Sequence, residues 1–505
     1  MPLGCLTGCS SLQDSAALNP YQYAPPTYSE PWQVPTKPSP LGGGIDANSP
    51  AALSATNLPP AVSGANVSFP GTQARTNNLA DLIDLAERIN PQTRAAWEQA
   101  RAAAARLGLA DSAYAPVLAL LATGGYSRND YPAPAGLLIA SGPGFNPTVS
   151  LEWTLLDFGG RRATFDSAAQ QLLQANFQFN RVHQQLAYDI ERTFYTYDAS
   201  RAEVAAAEAT LTTARNVEQV AEVRLQNGLG TETDRLQARQ ELARANYELQ
   251  SAQRNLSDAW ASLAESLGIS PAASFPVVDS SAQPLPTNLV ESVETDLDRA
   301  LRQRPDLTAQ LAQVRAREAE VRQAEAAYRP SIGVSGTVGG NLGNWSVTAP
   351  GSPDSSYNYA APEYGAFLTF SWNLFDGSER KNTLREAQAR RDEAQAQLAA
   401  LELKTQREVW KAYADAKASL VQYDFARALL TASENGYDAA LTSYKSGLGT
   451  VIELLTAERD LARARTTLVE SRADVLTSSA ALVFAVGDSA GRPGKRAGSA
   501  VEGDK

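Results

Sequence analysis

Apolar and polar residues alternate along two short stretches of this chain. Val149, Leu151, Trp153 and Leu155 alternate with Thr148, Ser150, Glu152 and Thr154, while Leu368, Phe370, Trp372 and Leu374 alternate with Thr369, Ser371 and Asn373. A period of two predicts strands, over about 148–157 and 364–375. Looser, glycine-rich partners are expected over about 117–126 and 331–340, with Gly/Pro/Asn-rich loops over roughly 127–147 and 341–363. A different pattern fills most of the remainder. From Arg161 to Asn227, 67 residues pass without Gly or Pro, and from Arg380 to Ser446 another 67 are interrupted only by Gly436. As single helices they would each run about 100 Å. Leu172, Phe179 and Leu186 are seven apart, as are Tyr197, Val204 and Leu211, with eleven from Leu186 to Tyr197. Mixed steps of this kind suit helices that coil in one part and run nearly straight in another. Each run stops at a Gly-Leu-Gly turn, a common helix stop. It then reverses into a second run, Thr231–Leu267 or Thr450–Val486, which so short a connection sets antiparallel.

The chain therefore contains one unit twice. Trp153-Thr-Leu-Leu-Asp157 returns 219 residues later as Trp372-Asn-Leu-Phe-Asp376, and Asn227-Gly-Leu-Gly-Thr231 as Ser446-Gly-Leu-Gly-Thr450. Upstream the offset is 214: Asn90-Pro91 pairs with Arg304-Pro305, and Tyr114-Ala-Pro116 with Tyr328-Arg-Pro330. The five-residue difference falls between Pro116 and Trp153, in a loop free to vary. In each copy a helix begins near Asn78 or Leu289, breaks at the first proline, resumes, and stops before Pro116 or Pro330. The expected organisation is a first repeat over 77–270, a linker over 271–288 and a second repeat over 289–487. An extended Pro/Ser-rich arm over 10–76 precedes them and a disordered tail over 488–505 follows.

Net charge is −11, which argues against a nucleic-acid partner. One His, one Met and two Cys leave little for metal or nucleophilic chemistry. No set of His, Cys, Asp or Glu converges on loops, so neither an enzyme nor a cofactor is expected. His183 reads as an ordinary helix residue. No stretch approaches the roughly 20 apolar residues of a membrane-spanning helix. Isolated hairpins are marginal in water, and in lipid an open sheet edge cannot be satisfied. Four strands cannot close where about eight is the usual minimum, so three copies, with about twelve strands, are expected. A coiled-coil scaffold with the hairpins as oligomerisation tabs is the alternative. It would have to hide the apolar strand faces carrying Trp153 and Trp372, which otherwise read as membrane-interface anchors in contact with lipid.

Both cysteines lie in the first nine residues. Leu6-Thr7-Gly8-Cys9 resembles a bacterial lipobox, which implies acylation at Cys9. Residues 1–9 read as a truncated signal segment, since none of the eight residues before Cys9 is basic and a signal peptide needs a basic start.

Taken in order, the two repeats, the Asn-Pro and Arg-Pro-Asp-Leu (Arg304–Leu307) helix breaks, the Tyr-x-Pro before each hairpin and the Gly-Leu-Gly-Thr turns resemble the TolC-type outer-membrane efflux proteins over roughly 78–487. The acylated start resembles that family's lipoprotein branch. The resemblance implies a mainly α fold with a β-barrel part. Two tandem repeats, each a long α-helical hairpin plus a β-hairpin, would form a homotrimer with a twelve-stranded outer-membrane barrel on a periplasmic helical tunnel. It further implies a passive duct exporting drugs or metals, partnered by a periplasmic adaptor (membrane fusion) protein and an inner-membrane pump; a duct for type I protein secretion is the alternative. The adaptor-contacting tips would be Gly228, Leu229, Gly230, Thr231 and Gly447, Leu448, Gly449, Thr450. Members often place two acids three apart just past the second tip as a constriction. Here Glu453 matches the first and Thr456 stands at the second, with Asp234 the counterpart of Glu453 in the first repeat. Both acids also suit the first turn of a helix without any further role.

Overall fold

A computed structural model describes residues 19–33, 78–134, 136–273, 275–278, 285 and 292–488. Its helices follow the duplication residue for residue. In the first repeat they are α1 (Leu79–Ile89), α2 (Pro91–Ser112), α3 (Gly160–Gln226) and α4 (Glu232–Leu267); in the second, α5 (Val293–Gln303), α6 (Pro305–Ala326), α7 (Glu379–Lys445) and α8 (Val451–Val486). Counterparts have equal lengths, with 67 residues in both α3 and α7. Pro91 and Pro305 open their helices at the one place where a missing N–H costs nothing. Gly268 and Gly487 close α4 and α8 in the left-handed conformation, at φ 77° and 84°. The second repeat's first helix starts at Val293 behind a Ser292 cap, later than the Leu289 read from the sequence.

The strands are longer than expected: β1 Val117–Ala133, β2 Gly136–Leu156, β3 Ser331–Thr348 and β4 Ser355–Ser371. Most of the supposed loops at 127–147 and 341–363 are thus hairpin. Prolines hid this, because a proline inside a run argues against a strand. Pro132 and Pro362 stand in β1 and β4, and Pro143 and Pro147 fall at gaps in the β2–β3 ladder, which runs from Ile139 to Leu156 without pairs at 142–143 or 146–147. No ladder bond to β3 is forgone there.

The two hairpins are not isolated either. They join through β2 and β3 into one antiparallel sheet of order β1-β2-β3-β4, with a bulge between Thr154 and Leu156. Register fixes its faces. Leu118 opposes Leu151 and Leu120 opposes Val149; Trp153 opposes Val334 and Val149 opposes Val338; Val334 opposes Leu368 and Ile332 opposes Phe370. One face is therefore apolar. The other is mixed, carrying Ser150, Glu152, Ser335, Thr337 and Thr369 together with Leu121 and Phe367. Most of the large apolar side chains, Leu118, Leu120, Leu368 and Phe370 among them, are exposed, and among the described residues β1 and β4 are open edges.

The helical core is divided among several clusters. Leu82, Ile190, Phe194, Leu263 and Leu267 pack where α1 meets the α3–α4 hairpin. Residues 19–33, part of the extended arm expected over 10–76, dock on α2 and α3. Tyr23 and Trp32 are buried, Asn176 donates to the Tyr23 carbonyl at 2.8 Å, and Asn180 both donates to and accepts from the Trp32 backbone. His183 is buried in α3, its Nδ1 3.3 Å from Glu87 Oε1. Cys5, Cys9, most of the arm, and the tail beyond Asp488 lie outside the described residues.

Candidate functional site: hairpin tips and sheet foot

The tips expected from the sequence come together. Val217, Ala221 and Ala238 of the first hairpin share one apolar cluster with Tyr437, Tyr444, Val451, Leu454 and Leu455 of the second. Gly228 and Gly447 turn the chain at φ 71° and 78°, where a side chain would be strained. Between the glycines, Leu229 and Leu448 project into solvent at 67% and 87% exposure, an apolar pair with nothing among the described residues to cover it.

Asp234 and Glu453 take part in matching capping boxes. The Thr231 hydroxyl accepts from the Asp234 N–H at 3.2 Å while the Asp234 carboxylate accepts from the Thr231 N–H at 3.1 Å. Thr450 and Glu453 do the same at 3.3 and 2.9 Å. Each carboxylate thus satisfies a donor at a helix start that has no partner within the helix. Both acids remain at the exposed end of their hairpins.

Arg224 is a tip residue that the sequence patterns do not single out. From the end of α3 its guanidinium lies over the Tyr444 ring at 4.7 Å and donates to the carbonyls of Tyr444 and Leu229, at 2.5 and 2.9 Å. Burial pushes the Tyr444 phenol up, with the Asp234 carboxylate adding to the shift. The sequence does hold a signal: the position matching Arg224 in the second repeat is Ser443, so the tips differ here while their turns agree.

Above the tips a cleft of about 600 Å³ lies between α3, α4 and α8, lined by Glu203, Glu241, Glu458, Arg459 and Arg463 among others. Glu241 pairs with Arg459. Glu458 is buried, and its Oε2 has no hydrogen-bond partner among the described residues. Burial, and secondly the nearby Glu241, raise its pKa to about 7 against the opposing pull of Arg459.

At the far end of the helices the two repeats build one joint twice. Trp153 donates its indole N–H to the Tyr114 carbonyl at 2.9 Å, and Trp372 donates to that of Tyr328 at 3.1 Å. Arg161 and Arg380 lie over those tyrosine rings at 5.0 and 5.2 Å and pair with Asp157 and Asp376. The residues between acid and arginine include two left-handed positions in each copy, Phe158-Gly159 and Gly377-Ser378, which swing the chain from strand to long helix. The joint binds strand, helix end and long helix together, and no described helix is long and apolar enough to cross a membrane.

The family described as outer membrane efflux protein matches residues 82–269 and 297–488, one match on each repeat. The chain is similar to protein CyaE of Bordetella pertussis, 30% identical over 457 residues that span 89% of this chain and 92% of the relative. It is also similar to outer membrane protein OprJ of Pseudomonas aeruginosa, 24% identical over 382 residues, 75% of this chain and 78% of the relative. Its fold is similar to the crystal structure of a membrane protein from Pseudomonas aeruginosa, with a TM-score of 0.70 at 23% identity, covering 81% and 93% of the two chains.

Proposed function

The chain belongs to the outer membrane efflux protein family, and from that premise we propose that it is the outer-membrane channel of a tripartite efflux system. It acts as a passive trimeric duct through which small molecules leave the periplasm. The observation that carries this reading is the four-stranded sheet with one apolar face and two open edges. In lipid such edges must be paired, and three copies supply about twelve strands, enough to close. The apolar face meets lipid, with Trp153 and Trp372 near the interface, and the polar face lines the lumen. The helical hairpins extend into the periplasm. There the tips, Gly228–Thr231 and Gly447–Thr450, meet an adaptor protein through Leu229 and Leu448, and an inner-membrane pump supplies the energy. Glu453, with Asp234 nearby, narrows the closed end, and acylation at Cys9 adds an anchor. Purified protein in detergent should have three times the chain mass and conduct ions across planar bilayers, and cells lacking it should accumulate the pump's substrate. A folded monomer in lipid, without conductance, would refute the reading.

A further inference from the structure

A carboxylate taken out of water keeps its charge only where a donor or a cation meets it. Glu458 of α8 is 5% exposed, and its Oε2 makes no hydrogen bond among the described residues. It lines the cleft between the hairpins together with Glu203 of α3 and Glu241 of α4. Three carboxylates thus border one space from three helices. The duplication does not require this, because the positions matching Glu458, Glu203 and Glu241 in the other repeat are Arg239, Gln422 and Asp460, all exposed. Nor do the neighbouring guanidinium groups answer Glu458. Arg459 is paired with Glu241, and Arg244 with Glu248.

The rest of the cleft indicates what would complete it. Its volume of about 600 Å³ suits a small organic molecule better than a single water. Ala206, Ala207, Ala245, Ala252 and Ala462 give it an apolar wall, and the exposed ring of Tyr247 stands beside them. Among the described residues no three His, Cys, Asp or Glu side chains are placed to hold a metal ion.

We propose that this cleft binds a small organic monocation, a primary ammonium ion on an apolar body, with the ammonium donating to Glu458 Oε2 and the body lying on the alanine wall. Arg459 and Arg463, which also line the cleft, repel a second positive charge and so disfavour polyamines. The walls come from both repeats, α3 and α4 on one side and α8 on the other, so the occupant ties one hairpin to the other just above the tips. All of the site lies within one chain. The proposal therefore goes beyond the duct reading and does not depend on it.

The protonation of Glu458 gives the test its signature. Burial, with Glu241 of α4 adding and Arg459 opposing, raises its pKa to about 7. Tyr437 of α7 feels its charge, and Glu203 of α3, raised by burial and by Glu470, shares the cleft. Below that pH an ammonium ion must displace the Glu458 proton, so affinity falls as pH falls.

The full-length protein in detergent is titrated by calorimetry with phenethylamine, and with 2-phenylethanol and phenylacetate as neutral and anionic analogues. The same titrations into detergent alone set the background. Phenethylamine should bind at pH 8 and about 30-fold more weakly at pH 5.5, with both analogues weaker than the amine at pH 8. Glu458→Gln keeps the shape of the side chain and should cost about tenfold in affinity at pH 8 while abolishing the pH dependence. Ala207→Leu fills the apolar wall with Glu458 in place and should weaken binding at both pH values. Absence of phenethylamine binding, equal binding of 2-phenylethanol, preference for phenylacetate or a Kd that ignores pH each overturns the proposal. So does loss of binding in Glu453→Gln but not in Glu458→Gln, which would place the amine at the tips. Trimer mass and conductance, by which the duct reading is judged, are separate measurements.

Discussion

Arg224 and Tyr444 lock one hairpin tip to the other: the guanidinium covers the phenol ring and donates to the same residue's carbonyl. The partners come from different repeats, so the tips of one chain form a single body. The equivalent of Arg224 in the second repeat is Ser443, too short to make the same clasp on a neighbouring copy.

Arg224→Ala should therefore loosen the tips without disturbing the sheet. Hydrogen bonds from a charged group to carbonyls contribute about 1.5 kcal/mol, so amides around Tyr444–Gly447 should exchange roughly tenfold faster by hydrogen-exchange mass spectrometry. Single channels should spend longer in conducting levels, with trimer mass unchanged. Arg224→Lys should fall well short of rescue, because an ammonium has no planar fork to span two carbonyls while covering a ring.

The joint at the sheet foot offers an internal control. Trp153→Phe and Trp372→Phe each remove one indole donor and leave the carbonyl of Tyr114 or Tyr328 without it. Each should lower stability to chemical unfolding in detergent by about 1 kcal/mol. Because the joints are copies, the two losses should be equal within about 0.5 kcal/mol and add in the double variant.

Much of this architecture is legible in the sequence itself. Helix ends agree between copies because Pro91, Pro305, Gly268 and Gly487 act locally, through a missing donor or a left-handed backbone, and local chemistry can be read from sequence. Strand ends are not legible in the same way. Pro143 and Pro147 look like breakers, and only the pairing of β2 with β3 places them at gaps in the ladder. The docked arm escapes notice for a related reason: Asn176 and Asn180 meet it across about 150 residues of sequence. At the tips, the acids' position on the first helical turn is readable, and their mutual capping with Thr231 and Thr450 follows from it. The clasp of Arg224 on Tyr444 depends on which hairpin lies beside which, and no periodicity encodes that.

Two buried carboxylates set a pH dependence. Glu458, pressed by burial and by Glu241, and Glu191, pressed by burial alone, are both raised to about 7 from 4.5. The folded chain then binds these protons more tightly than the unfolded one. Their contribution to stability is complete below about 4.5, declines as pH rises to about 7, and is lost above. Glu458→Gln and Glu191→Gln keep the neutral shape and remove the titration. Each variant should gain melting temperature over wild type as pH rises from about 5 to 8. A gap that stays constant with pH would show that neither acid titrates in this window.

Glu453 can be asked separately about cap and gate. Thr450→Ala removes the hydroxyl that caps α8 and should cost about 1 kcal/mol of stability, with little effect on which ions pass. Glu453→Gln does the reverse. Glutamine at this position can still accept from the Thr450 N–H, so the capping box survives, while a formal charge disappears from every copy. If three Glu453 carboxylates surround the closed end, they attract cations and repel anions. Their loss should lower cation preference in single-channel recordings and weaken block by multivalent cations, at unchanged melting temperature. Asp234→Asn, at the counterpart position of the first repeat, is the matching comparison. Unchanged selectivity and block in Glu453→Gln, with the fold intact, would leave Glu453 as a helix cap alone and move the constriction elsewhere along the duct.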